Sequence, residues 1–523
     1  MAPLYRLPAG VRRPTQAWLR RLLPSIAHGQ VLGEDREGLL DRDKGTPVNI
    51  SSDPWRAFQN IRLRRYLVFI GIASLFSLLL AIASHKNSSS QSRHPIRRHA
   101  QHLHLLIPTP DLHPELCKTI LSAEILHYPP PTLIPWDAVP DDPKANLQQR
   151  VTSVRNYLSE LLVHHANDTA ILVDDARVWF QLRPEVLLKR YYEINQRANR
   201  RLQAKFGEDA VRKHGIQQTV VFAASSTCGA ASSAAGLGSM CEDASTSSAS
   251  GEDGLRYLGH GFAMGPVRDL HEVYRRVVAK VEGSPKFETG LAAMSAVYGD
   301  QERQRSLLRE GRKSRLEAFW VSFADGSALG PVESNNATSH NNRGPDDFGL
   351  GLDHLGELSI DASNDPDHTT WPQHHHLPPD IASSMPPFWT IGSHSLPTSK
   401  TWSDLRLLTN AHTHFIPAAI THNTSSSSTA PDVLDADWKR LWTHPYARKL
   451  FDAYMAVPAM PLAAVVDGEN VEQVFWSTTI GEKAGARDGR GTWYGWKEIC
   501  GGDQKLAEEV FGDGGGEWRS PMP

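Results

Sequence analysis

From residue 103 onward the chain alternates short apolar runs with longer segments of helical periodicity. Residues 103–107, L-H-L-L-I, end at Pro108 and predict a first strand. Pro114 and Glu115 open a helix that carries Leu116, Ile120, Leu121 and Ile125. Residues 132–134 predict a second short strand and residues 151–162 a second helix. The third strand is residues 170–175, A-I-L-V-D-D, an apolar run that stops on two carboxylates. Branching at Ile171 and Val173 without polar alternation reads as a strand buried on both faces. Pro184 then fits the first turn of a long helix with Val186, Leu187, Tyr191, Ile194, Ala198 and Leu202 on roughly one face. Residues 219–223, T-V-V-F-A, predict a fourth strand, and residues 269–282 a further helix. Strand and helix in turn predict an α/β fold with parallel strands joined by right-handed crossovers. Such open sheets bind ligands outside the carboxyl ends of their strands. Asp174 and Asp175 are therefore placed where a metal or a sugar nucleotide would bind.

The amino-terminal part reads differently. Residues 1–63 are rich in Arg, Pro and Gly without long periodicity, which predicts a disordered cytoplasmic tail. Residues 66–84, Y-L-V-F-I-G-I-A-S-L-F-S-L-L-L-A-I-A-S, carry no charge and predict a transmembrane helix within 64–85. So long a preceding tail argues against a cleaved signal peptide. Arg62, Arg64 and Arg65 crowd its first edge and favour a cytoplasmic amino terminus. The sequons at Asn87, Asn167, Asn336 and Asn423 and all four cysteines follow the segment, whereas that at Asn49 precedes it. The expected layout is tail, anchor, a stem over 86–102, and a lumenal domain over 103–515. That is a single-pass type II protein of the Golgi or endoplasmic reticulum.

A net charge of -3 over 523 residues disfavours a dedicated nucleic-acid binder. No G-x-G-x-x-G follows the first strand, which disfavours a dinucleotide site. Cys117, Cys228, Cys241 and Cys500 show no C-x-x-C spacing, and Cys228 with Cys241 could close a disulfide across a small-residue loop. Residues 224–254, 333–348 and 361–377 read as disordered loops, the last ending in His374, His375 and His376.

Six segments then occur in a characteristic order. They are V-D-D-A-R-V-W-F-Q-L-R-P-E (173–185), R-Y-L-G-H-G-F-A-M-G-P-V (256–267), Y-G-D-Q-E-R-Q-R (298–305), L-P-P-D-I-A-S-S (377–384), T-N-A-H-T-H-F-I-P-A (409–418) and H-P-Y-A-R (444–448). The set resembles a family of fungal type II membrane proteins. Their lumenal domain is similar to the glycosyltransferase domain of procollagen lysyl hydroxylases and collagen galactosyltransferases. The resemblance spans about 103–515. It implies a GT-A fold, a Rossmann-type mixed sheet flanked by helices, with a divalent ion bridging a sugar diphosphate.

On that resemblance Mn²⁺ or Mg²⁺ would be held by Asp174, Asp175 and His422, the histidine matching with a register shift of one. Arg177 stands where the family has its second metal-binding Asp, so a guanidinium there would contact the diphosphate directly. Tyr257, Leu258, Gly259, His260 and Gly261 would line the donor pocket, where the family usually reads Y-L-N-S-G. Gly290 and Leu291 replace an Asp-Gln pair. The implied partners are a UDP-sugar donor and a glycan or glycoprotein acceptor. The departures support a second reading, a catalytically silent relative kept as a binding or scaffolding subunit. A third reading is a hydrolase or metalloenzyme using His412 and His414, since H-x-H on a strand puts both rings on one face.

Overall fold

The computed structural model describes residues 98–113, 115–173, 177–226, 255–284, 287–324, 347–363, 369–389, 395–422, 431–458, 460–467, 471–478, 481–501 and 504–519. The expected membrane span, Asp174, Asp175, Cys228 and Cys241 lie outside them, as do the sequons other than Asn167. No helix among the described residues is long and apolar enough to cross a membrane.

The first seven strands are β1 (Arg98–Thr109), β2 (Thr132–Pro135), β3 (Thr169–Val173), β4 (Val178–Phe180), β5 (Val220–Ser225), β6 (Tyr257–Pro266) and β7 (Leu350–Leu352). Then come β8 (Ser359–Asp361), β9 (Thr369–Thr370), β10 (Thr409–Asn410) and β11 (Ala419–Thr421). The last are β12 (Ala463–Val466), β13 (Glu472–Ser477), β14 (Gly485–Asp488) and β15 (Trp493–Gly495). The main sheet runs β15-β14-β2-β1-β3-β6-β5-β7, and a hairpin of β12 and β13 joins along the first half of β1. A small second sheet, β4-β11-β8, follows β3 directly.

The fold is thus α/β with a mixed sheet. β1, β2, β3 and β14 are parallel, while β6 lies antiparallel between β3 and β5. The alternation of strand and helix predicted a parallel sheet, and β6 departs from it. β6 pairs antiparallel with both of its neighbours, and such pairing needs no crossover helix to carry the chain back across the sheet.

The third strand is buried on both faces as its composition requires. Ile171 and Val173 face one core with Leu103, Leu105 and Ile107, packed by the helices Glu115–Ile125 and Pro184–Phe206. Ala170 and Leu172 face the other with Leu106, packed by the helices Pro143–His165 and Val267–Gly283. Pro184 occupies the first turn of its helix, as predicted. The Pro143–His165 helix starts earlier than its apolar periodicity shows. Asp142 caps it by accepting from the Ala145 N–H at 2.9 Å, with Pro143 in the first turn.

Three boundaries differ from the pattern. Residues 98–102, expected in the stem, form the first part of β1 and pair with β13. Trp518, past the expected end of the domain, is buried and donates to Asp452 at 2.8 Å. His412 and His414 sit in a turn instead of a strand, and His414 has a left-handed φ of 58°, so strand alternation does not bring their rings together. Cys117 and Cys500 form a disulfide, with 5.5 Å between their Cα atoms. Among the described residues there is no free cysteine.

Candidate donor-binding cleft

The sheet connectivity creates a crevice at one edge. From β1 the chain moves out to β2 and then returns across β1 to β3, so the order reverses there. That reversal is a topological switch point, the place where open α/β sheets take ligands. Because β6 is antiparallel, its beginning lies at the carboxyl ends of the others. Val173, the last residue of β3, pairs with Phe262, so residues 257–261 extend past β3. Ser225, at the end of β5, pairs with Tyr257.

Two glycines let this overhang approach its neighbours. A Cβ on Gly259 would sit 3.0 Å from the Ala224 backbone, beside a register shift in the β5–β6 ladder. Gly261 has φ +84° and touches the small sheet: a Cβ there would lie 3.3 Å from the Thr421 side chain.

The overhang forms one wall of a cleft of about 510 Å³, its open mouth included. Leu258, Gly259, His260 and Gly261 line it, and Gly290 and Leu291 close the opposite side, with Arg150 also present. Two segments singled out by resemblance, about thirty residues apart, thus meet in one space. Most of the lining is apolar, including Leu172, Phe222 and Met294.

His422 and Arg177 lie side by side on the small sheet. The His422 N–H donates to the Arg177 carbonyl at 3.1 Å, one step past the Val178–Thr421 pair. Val178 and Thr421 face Gly261. By strand alternation Arg177, Trp179 and His422 face the other way. The His422 ring accordingly packs on Trp179, with centroids 4.4 Å apart. The sequence reading put residues 257–261 and His422 in one pocket, and the structure sets them on opposite faces of one strand pair, touching through Gly261 and Thr421.

His422 is 3% exposed, and neither ring nitrogen has a hydrogen-bond partner. Burial, and then the charges of Arg177 and Lys118, push its pKa down to about 3. It is a neutral imidazole with an available lone pair. Buried Lys118 is paired with Glu509, whereas Arg177 has no anionic partner among the described residues. An orphaned buried nitrogen fits a Mn²⁺ ligand. An unneutralised guanidinium on the same face opposes a cation there.

Other parts of the six segments hold the fold together. Arg305 makes a bidentate pair with buried Asp347, at 2.6 and 2.9 Å. Gln301 donates to the Leu350 carbonyl and accepts from the Leu350 N–H, fixing β7. Arg190 reaches Asp380 at 2.6 Å, and Arg448 pairs with Asp513 through two bonds. His374 bonds Thr409 at 2.8 Å, while His375 and His376 are exposed, as a loop reading requires.

Pattern reading passed over a cluster at the opposite end of β3. His102, His104 and His165 all point at Asp168. Its one sequence signal was the spacing H-x-H in β1, read there only as part of an apolar run.

Compared with known proteins, the chain matches no family model, and no curated protein matches it.

Proposed function

We propose that the chain is a type II membrane glycosyltransferase of the secretory pathway, moving a hexose from a UDP-sugar to a glycan or glycoprotein acceptor. Its mixed sheet is then a GT-A sheet, and residues 66–84 are its anchor. The observation that carries the reading is the meeting of residues 258–261 with Gly290 and Leu291 in one cleft beside the carboxyl end of β3. The Cys117–Cys500 disulfide supports an oxidising, lumenal compartment. Exposed Asn167 supports it too, as a glycosylation acceptor.

Hexose transfer leaves negative charge on the departing diphosphate. Arg177 would neutralise part of it with a fixed guanidinium. On the resemblance, His422 with Asp174 and Asp175 would hold Mn²⁺ or Mg²⁺, which when bound supplies Lewis-acid stabilisation of the same charge, although the His422 ring packs on Trp179 and faces away from the Gly261 side of the strand pair. His260 would orient the sugar, and the apolar wall at Leu172 and Leu291 would exclude water.

The second reading, a catalytically silent binding subunit, is favoured by the position of Arg177 on the face of His422. One experiment separates the two. The purified full-length chain is incubated with a panel of UDP-sugars, with and without Mn²⁺, and both thermal shift and UDP release are measured. Transferase activity predicts stabilisation and metal-dependent UDP release. Stabilisation without release selects the silent subunit, and neither response removes both readings.

A further inference from the structure

We propose that His102, His165 and Asp168 form a binding site for a zinc-class divalent ion at the amino end of β3, away from the donor cleft. Three chain segments converge there: β1, the last turn of the Pro143–His165 helix and the residue just before β3. Their ligand atoms all lie within 4.8 Å of one another. His102 Nδ1 is 3.2 Å and His165 Nδ1 2.6 Å from the same oxygen, Asp168 Oδ2.

That oxygen is over-subscribed. His104 Nε2 also lies 3.3 Å from it, while Oδ1 accepts the His102 N–H at 3.1 Å. A carboxylate oxygen has about two lone-pair directions, so three imidazoles cannot all bond it well. An ion between His102, His165 and Asp168 lets two of the ring nitrogens use their lone pairs instead. His104, 4% exposed, then keeps the role of a donor that orients the carboxylate.

The distances suit a small ion. With bonds of about 2.0–2.2 Å, neighbouring ligand atoms in a tetrahedron stand about 3.3 Å apart. The His102–Asp168 separation already matches, and half-exposed His165 can rotate by the few tenths of an ångström it needs. Side-chain exposures of 44% and 35% at His102 and His165 give an ion a way in. Two imidazoles with one carboxylate prefer Zn²⁺ to Mg²⁺, and three protein ligands leave a fourth position for water. The ion would tie helix, β1 and β3 together at the edge of the sheet.

The test uses the full-length chain, stripped of metal and titrated with ZnCl2 by calorimetry, and with Co²⁺ followed by its visible absorption. Expected are one strong Zn²⁺ site per chain, an intense tetrahedral Co²⁺ spectrum, and no competition from millimolar Mg²⁺. The double variant His102→Ala/His165→Ala should weaken Zn²⁺ binding by roughly 100-fold, since two of three ligands are gone. The control pair His99→Ala/His164→Ala, exposed and outside the cluster, should leave it unchanged. Equal binding by wild type and His102→Ala/His165→Ala, or a wild-type Co²⁺ spectrum of octahedral type, overturns the proposal. The spectrum needs no variant to fold, and neither outcome depends on the glycosyltransferase reading.

Discussion

The two ends of β3 solve opposite electrostatic problems. At its amino end a carboxylate is surrounded by imidazoles. Burial alone would raise the Asp168 pKa, but hydrogen bonds from His104, the His102 backbone and His165 outweigh it and hold the carboxyl well below its usual range. At its carboxyl end the described charges are cationic: Arg177 without a partner, and a neutral His422 beside it with both nitrogens unsatisfied. The first end gathers three imidazoles on one carboxylate oxygen, more than its lone pairs can serve. Asp174 and Asp175, which follow β3 at its carboxyl end, lie outside the described residues.

Four experiments would break or sharpen that contrast. The largest effect is expected from Gly261→Val, which forces a branched side chain into a left-handed backbone against Thr421. It should cost about 2–3 kcal/mol and abolish the UDP-sugar thermal shift, while Zn²⁺ binding at the other end persists. A variant that keeps its UDP response would mean the β6 overhang is not a donor wall.

Next comes a pH effect at the amino-end side of the sheet, where a second carboxyl behaves unlike Asp168. Glu124 is fully buried, and burial pushes its pKa up to about 8 against the lowering influence of the Gly485 and Ala484 N–H groups and Lys483. A raised folded value means stability that is fully present below the ordinary value of 4.5 and lost as pH climbs through about 8. Glu124→Gln should therefore stabilise little at pH 5 and markedly more at pH 8.5. Parallel pH profiles of the melting temperature for variant and wild type would refute this. Asp168 runs the other way, its lowered value giving stability that is present at neutral pH and lost on acidification.

Arg177→Asp should raise Mn²⁺ affinity about tenfold, or 1.4 kcal/mol, by exchanging a repelling charge for a ligand. Unchanged Mn²⁺ affinity would show that this end is not a disabled metal site. The smallest effect belongs to His422→Phe. Removing two unsatisfied buried nitrogens should leave stability unchanged or raise it by about 1 kcal/mol, and should erase any Mn²⁺ dependence of UDP binding. A clear loss of stability in the metal-free protein would mean the imidazole has a structural partner.

Much of the fold was legible because burial on both faces leaves an unmistakable mark. An unbroken apolar run such as Ala170–Val173, short and rich in β-branched residues, reads as a central strand, and Pro184 ahead of an amphipathic run reads as a helix start. The antiparallel course of β6 was not legible, since no local pattern distinguishes strand direction. Donor wall and metal ligand were each traced to plausible residues, but their separation by one strand pair was not. Which face a residue takes depends on register, and a shift of one position reverses it.

By itself the sequence determined the first alternating strands and helices and the burial of β3, because side-chain hydrophobicity and backbone preference act locally. Only the tertiary structure decided what stands beside what. It paired Cys117 with Cys500 across 383 residues, drew Arg305, Asp380 and Arg448 of the singled-out segments into ion pairs, and gathered His102, His104, His165 and Asp168 around one oxygen. Such contacts arise when distant strands are brought into register, and no spacing along a single chain encodes that distance.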